Sequence, residues 1–274
     1  MLSVNTNVGA MVALQYLNKT NSELNTVQSH INSGLKIANA KDNGAVFAIA
    51  QNMRGDVSAF AAVSDSLNRA ISSTDVAMNA GQAVSDLLVE MKGKAVAAAD
   101  ASLDTASRDA LDEDFQSLRD QITNILDNAS FNGVNLVNGD SSSLTALVSA
   151  DGASVITIDG ENMSLGSAIV TVASSASLST ASAASTMIDT INASLENVNA
   201  SLARLGSSSK QISIQNEFIK KLVDTLNAGI GNLVDADLAK ESAMLQSLQV
   251  KQQLGIQALS IANSAPGIAL SLFR

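Results

Sequence analysis

Few residues in this chain have the types and spacing of a reaction centre. His30 is the single histidine and there is no cysteine, so no metal cage or nucleophile–base set can be assembled around it. Placed near a helix end, it reads as a solvated or capping side chain. Asp112-Glu113-Asp114 gathers three carboxylates, but without the ligand spacing of a calcium-binding loop; the early turns of a helix, where the dipole favours anions, account for them. Asp151-Gly152 and Asp159-Gly160 read as turns. No glycine loop has the phosphate-cradling form. Met53, Met78 and Met91 fall on an apolar stripe and fill a core. No catalytic residue, cofactor site or metal site is expected.

The elements that would hold such residues are more informative than the residues themselves. Steps of three and four from Ile188 meet Ile188, Ile191, Leu195, Val198, Leu202, Leu205, Ser209, Ile212, Asn216, Ile219, Val223, Leu226, Ile230 and Leu233, and only Ser209 and Asn216 are polar. A heptad seam of that length lies on one stripe of a helix and needs other helices to cover it. A second long pattern runs from about Ala45 to Asp100, and a shorter one over residues 8 to 31 carries Ala10, Leu14, Leu17, Asn21, Leu24, Gln28 and Ile31. Gly55, Gly81 and Gly93 each cost up to about 1 kcal/mol in a helix, which suggests close helix–helix approach. A third helix, capped by Asp104 or Ser107, carries Leu111, Phe115, Leu118, Ile122, Ile125 and Ala129.

The period then changes. Phe131-Asn132-Gly133 and Asn138-Gly139 are turn signals and residues 154 to 159 alternate like a strand, so turns and a small β-hairpin are expected over about 131 to 172. The Ser/Ala/Thr tract from 171 to 186 is polar enough to face water. A last helix carries Leu245, Leu248, Leu254, Leu259 and Ile261, with Pro266-Gly267 expected to stop it before the apolar tail Ile268, Leu270, Leu272 and Phe273. The fold expected is mainly α, an elongated antiparallel helical bundle or coiled coil with a small β-hairpin region in the middle.

Composition sets outer limits. The 274 residues carry a net charge of -10, which argues against nucleic acid, because phosphate binding needs a cationic face. No apolar run approaches the ~20 residues that span a bilayer, so no membrane insertion is expected. The start has neither the basic nor the apolar region of a secretory signal. Apolar stripes left open on terminal helices invite association.

Ser3-Val4-Asn5-Thr6-Asn7-Val8, Ser33-Gly34-Leu35-Lys36-Ile37 and Ala40-Lys41-Asp42 resemble the amino-terminal signature of bacterial flagellins. So do Ser130-Phe131-Asn132-Gly133-Val134-Asn135-Leu136, Leu205-Gly206 and Asp235-Ala236-Asp237-Leu238-Ala239. Gln252-Gln253-Leu254-Gly255, Ala262-Asn263 and Leu270-Ser271-Leu272 are similar to the carboxy-terminal signature. Two departures stand out: His30-Ile31-Asn32 replaces an Arg-Leu pair, and Glu90-Met91-Lys92-Gly93-Lys94 stands where many flagellins carry a basic cluster read by innate-immune receptors.

The resemblance implies a structural subunit that self-assembles into the helical flagellar filament for swimming motility, with a minor flagellin or hook–filament junction protein as the alternative. Residues 1–43 with 235–274 would form an inner domain lining the filament channel, and residues 44–234 an outer helical domain. Self-assembly stripes would run through Leu14, Leu17, Leu24, Ile31, Leu245, Leu248, Leu259 and Ile261, with a core seam of Ile191, Leu195, Val198, Leu202, Leu205, Ile212, Ile219, Val223 and Leu226. Expected partners are further copies in a homopolymer, the flagellar export apparatus, a flagellin chaperone contacting Leu270, Leu272 and Phe273, and the filament cap and hook-junction proteins. The implied location is extracellular, in the flagellum, reached without a cleaved signal peptide. Hydroxyls at Ser141, Ser142, Ser143, Thr145, Thr171 and Ser174 are candidate O-glycosylation sites.

Overall fold

The computed structural model describes residues 6–271, without the side chains of residues 265, 266 and 268–271. The Ser3-Val4-Asn5 part of the opening motif lies outside the described residues. Among them are helices α1 (Val8–Ser33), α2 (Gly44–Ala98), α3 (Thr105–Asn128), α4 (Ala181–Val234) and α5 (Leu238–Ser271), and strands β1 (Ser143–Leu147) and β2 (Val155–Asp159). The protein is mainly α with one small antiparallel hairpin. Contacts divide it into a terminal unit, Met1–Gly55 with Thr225–Arg274, and a middle unit, Asp56–Asp224. The divide falls within α2 and α4, which contribute to both units.

In the terminal unit α1 packs along α5. Asn7 caps α1 by accepting a hydrogen bond from the Ala10 amide at 3.0 Å. Gly34 ends the helix in the left-handed region, φ 72°, where its N–H reaches the His30 carbonyl at 2.8 Å. The segment after it is tied to the α4–α5 turn: Lys36 N–H donates to Val234 O at 2.8 Å and Ala236 N–H to Gly34 O at 2.9 Å.

Pro266-Gly267 does not stop the last helix; α5 continues to Ser271. Proline has no N–H for the carbonyl four residues back, which is that of Ala262. That oxygen instead accepts from Asn7 Nδ2 at 2.6 Å. The α1 cap thus fills the vacancy that a proline leaves in the facing helix.

In the middle unit α2 and α4 run antiparallel and share a continuous core. Ile191, Val198, Leu205, Ile212 and Ile219 of the seam are buried, and Leu195, Leu202 and Val223 pack half-buried beside them. Leu226 is half-buried in the terminal unit. Val63, Leu67, Ala70, Ala77, Val84, Leu88 and Met91 supply the α2 side. Close approach holds at Gly81 alone of the three helix glycines singled out above: a Cβ there would meet Leu202 Cδ2 at 2.8 Å and Met163 Cε at 3.2 Å, whereas Gly55 and Gly93 face open space.

Of the two polar breaks in the seam, Ser209 is half-buried, whereas Asn216 is 5% exposed and bonded at both of its amide atoms. Its Oδ1 accepts from Ser64 Oγ and its Nδ2 donates to Asn68 Oδ1, both at 2.8 Å. A buried amide joined to one level of the facing helix penalises every slipped register. Asn216→Leu is expected to raise unfolding stability by about 1 kcal/mol while relaxing register. Cysteine pairs placed one heptad out of register on α2 and α4 should cross-link in the variant and not in the parent; absence of that product in the variant would refute the assignment.

Asp104, of the two candidates, caps α3; bonds from the Ser107 hydroxyl and backbone N–H hold its carboxyl below the usual range. Asp112-Glu113-Asp114 lie beyond the first turn of α3, which carries no acidic residue, so dipole compensation does not explain them. Asp112 accepts the Leu178 N–H and Gln116 Nε2, and Asp114 pairs with Lys94. Arg108 satisfies the end of α2 by donating to the carbonyls of Ala98 (3.0 Å) and Asp100 (3.0 Å).

Asn132 (φ 50°) and Gly133 (φ 80°) make the turn that bridges Phe131 to Val134, the left-handed pair that type I′ geometry requires. β1 and β2 pair from Ser143–Asp159 to Leu147–Val155. The 171–186 tract does not simply face water: Val172, Ala176, Leu178 and Ala184 are buried. Its small residues let the chain lie close against α3, where Arg119 Nη1 holds the Ala176 carbonyl at 2.9 Å.

Candidate assembly surfaces

Among the described residues no three His, Asp or Glu side chains gather to hold a metal ion, and no helix is long and apolar enough to cross a membrane. The features that stand out are apolar faces with nothing over them.

The α1–α5 interface is thin. Leu24, Val27 and Leu248 are its buried core, with Ile31 and Leu245 half-buried beside them. Val27, rather than Gln28, holds that level of the α1 stripe; Gln28 is exposed. From Leu24 the stripe steps three to Val27 and four to Ile31, where the count stepped four to Gln28 and three to Ile31. Asn21 is a genuine polar contact, accepting from Gln252 Nε2 at 2.7 Å. His30 is not simply solvated: its Nδ1 lies 3.4 Å from Glu241 Oε1, both side chains being largely buried.

Of the expected assembly stripe, Leu24 and Leu248 are thus consumed within the chain, while Leu17, Ile31, Leu245 and Leu259 are half-buried. Leu17 packs where a Cβ on Gly255 would meet its Cδ1 at 3.3 Å. Leu14 (47%) and Ile261 (71%) point outward. They have neighbours that the stripe count did not include. Val8, Met11, Val12 and Tyr16 are exposed on α1, and Met244, Val250, Leu254 and Ile256 on α5. Val8, Met11, Val12 and Leu14 line an open hollow of about 560 Å³ with Thr6, Gln15 and Asn18. The missed signal was legible: α5 has apolar residues on every side, a pattern of helices that are buried all round.

Leu270 lies in α5, and Leu272 and Phe273 lie outside the described residues. Of the hydroxyl candidates, Ser142, Ser143, Thr145 and Ser174 are exposed and Ser141 is half-buried. Thr171 is exposed but its Oγ1 donates to the Thr190 carbonyl at 3.2 Å and shares a bond with Ser194 Oγ at 2.9 Å.

Sequence reading missed the ion pair that anchors the segment after β2. Arg204 donates from Nε and Nη2 to the two oxygens of Glu161, each at 2.6 Å, and the hydrogen bond, followed by the charge, raises the guanidinium above its ordinary value. The partners are 43 residues apart in the chain, so no local pattern announces them.

Fold and surfaces together define a helical structural protein whose terminal helices carry uncovered apolar faces. Residues 4–142 match the family model for the bacterial flagellin N-terminal helical region, and residues 188–273 that for the bacterial flagellin C-terminal helical region. The chain is 54% identical to flagellin FljK of Caulobacter vibrioides over 272 residues, covering 99% of this chain and 98% of that one. It is 38% identical to a flagellin of Brucella melitensis over the whole of both chains. In fold it resembles a candidate flagellar hook-associated protein of Vibrio parahaemolyticus, with a TM-score of 0.60, 14% identity and coverage of 71% of this chain and 100% of that one. The chain belongs to the bacterial flagellin family and is a structural subunit of the flagellar filament.

Proposed function

We propose that the terminal unit drives polymerisation by burying its outward faces, Leu14 and Ile261 with Val8, Met11, Val12, Val250, Leu254 and Ile256, against further copies. The observation that carries this is the pairing of a thin α1–α5 core with an α5 that is apolar on all sides. At roughly 25 cal/mol per Å² of apolar area, a few hundred square ångströms per neighbour, repeated over several neighbours, offsets the ordering of two helices. No nucleotide or cofactor is needed, and the role is structural rather than catalytic. The half-buried Leu17, Ile31, Leu245 and Leu259 then hold α1 to α5 so that the outer faces stay aligned.

The same exposed apolar surface makes the free subunit a hazard before assembly. That supports export to an extracellular flagellum in company with a chaperone that masks the Leu270–Phe273 segment, and capture beneath a filament cap beyond the hook junction. Exposed Ser142, Ser143, Thr145 and Ser174 are the hydroxyls open to glycosylation.

The test is negative-stain electron microscopy of the full chain with short filament seeds, beside a version lacking residues 1–43 and 235–274. Long filaments from the full chain and none from the trimmed one are expected. Filaments from the trimmed chain would remove the terminal helices from the mechanism.

A further inference from the structure

We propose that the hollow between α2, the turn after α3 and β1 binds a small tetrahedral oxyanion of the phosphate type, a site independent of the polymerising faces. The hollow measures about 140 Å³ and lies wholly within the middle unit. Ser66, Arg69 and Ser73 reach it from one face of α2, at steps of three and four; Asn132 comes from the tight turn and Thr145 from β1. Phe131, Val134 and Leu144 complete the wall with apolar surface, which strengthens any charge interaction made against it. The hairpin is fixed over α2 at this level: the Leu147 N–H donates to Ser66 Oγ at 3.3 Å.

Two side chains in the hollow lack the partners that comparable residues have. Ser73 is 6% exposed, yet its hydroxyl makes no hydrogen bond among the described residues. Ser72 and Thr74 on either side of it donate back along the helix, to the carbonyls of Asn68 at 3.1 Å and Ala70 at 2.8 Å. Ser73 Oγ opens into the hollow instead. A hydroxyll taken out of water is costly unless something bonds it. Arg69 is the second. The guanidinium groups of Arg54, Arg108, Arg119 and Arg204 all bond within the chain. That of Arg69 makes no hydrogen bond, and no carboxylate of the described residues lies within 4.0 Å of it. Asp65, one turn earlier on α2, does not reach it. In a chain of net charge -10, this cation is left for an anion from outside.

The balance of donors and acceptors selects the ligand. No Asp or Glu lines the hollow. Arg69 offers its N–H fork, Ser73 and Thr145 each an unspent O–H, and Asn132 its amide. Ser66 keeps its O–H as well, since the bond from Leu147 uses only a lone pair. Donors gathered around one cation call for a ligand that is negative and made almost wholly of acceptors. They come from three chain segments and so approach from different sides. Four oxygens in a tetrahedron meet that arrangement better than the two coplanar oxygens of a carboxylate, and a guanidinium fork bonds two of the four at once. Bound there, the oxyanion ties the turn and β1 to α2.

Inorganic phosphate is titrated into the isotope-labelled full-length chain, with ionic strength held constant by sodium chloride, and followed by nuclear magnetic resonance. Saturable shifts of the Arg69 Nε–H and of the amides of Ser73, Asn132 and Thr145 are expected, with a Kd of about 1 mM or tighter, while chloride alone leaves them in place. Arg69→Gln removes a side chain that makes no bond inside the fold, so its melting temperature without phosphate should match the parent's. Its affinity for phosphate should fall by about tenfold or more. Ser73→Ala should weaken binding by about threefold, and Ser72→Ala, whose hydroxyl is spent within the helix, should leave it unchanged. Equal shifts with chloride, parent-like affinity in Arg69→Gln, or the same loss from Ser72→Ala as from Ser73→Ala would each overturn the site.

Discussion

Phe115→Ala is expected to lower the stability of the middle unit by about 3–5 kcal/mol, the range for deleting a buried ring. Phe115 is among the largest fully buried side chains, 0% exposed, and lies with Ile122 and Leu126 on the inner stripe of α3. The cost depends on how far the surroundings can close over the hole, and here they are held off. Arg108 pins the start of α3 to the end of α2, Asp112 holds the Leu178 amide, and Arg119 holds the Ala176 carbonyl. With the helix tethered at three levels the cavity stays largely open, so the upper half of the range is the expected result. Urea unfolding followed by helical circular dichroism reads the loss; a shift below about 1.5 kcal/mol would mean that α3 repacks and is not the fixed element described.

Gly160→Ala should cost about 1–3 kcal/mol through steric overfilling. The backbone at Gly160 is not in the left-handed region; the objection is space. A Cβ there would sit inside the contact distance of the Ser141 carbonyl oxygen, which is backbone and cannot swing away. To admit it, the strands must part, loosening the Gly160 N–H bond to Ser142 O at 2.8 Å and the adjoining Glu161 N–H bond to Leu136 O at 2.7 Å. Glu161 then shifts against Arg204. Hydrogen exchange should quicken across Ser143–Leu147 and Val155–Asp159 with α1 and α5 unchanged. Unaltered protection in the hairpin would show that the close approach is relieved more cheaply.

The helices were legible because their signal is local. A stripe repeated every three or four residues specifies helix and inner face wherever the partners lie, and Ile191, Val198, Leu205, Ile212 and Ile219 are buried as that repeat requires. Turn chemistry is equally local, so Phe131-Asn132-Gly133 was readable from residue type and the α3 cap was narrowed to Asp104 or Ser107. The assembly faces were legible in part. Leu24 and Leu248 carry the same apolar code as Leu14 and Ile261, yet the first pair is covered by the chain itself and the second is not. A stripe announces that something will cover it, not whether the cover is the same molecule.

The sequence by itself therefore determined the mainly α fold, the place of the hairpin and the family, since each depends on period or the order of short motifs. Only the tertiary structure decided which apolar residues remain outside, why Asn216 is tolerated in the seam, and how α5 passes Pro266. Those outcomes depend on atoms brought together from distant positions: the Asn7 amide reaches the Ala262 carbonyl across 255 residues, and Asn216 meets Asn68 across 148. A polar group is stabilised or penalised by the partner it finds, and that partner is defined only once the chain has folded.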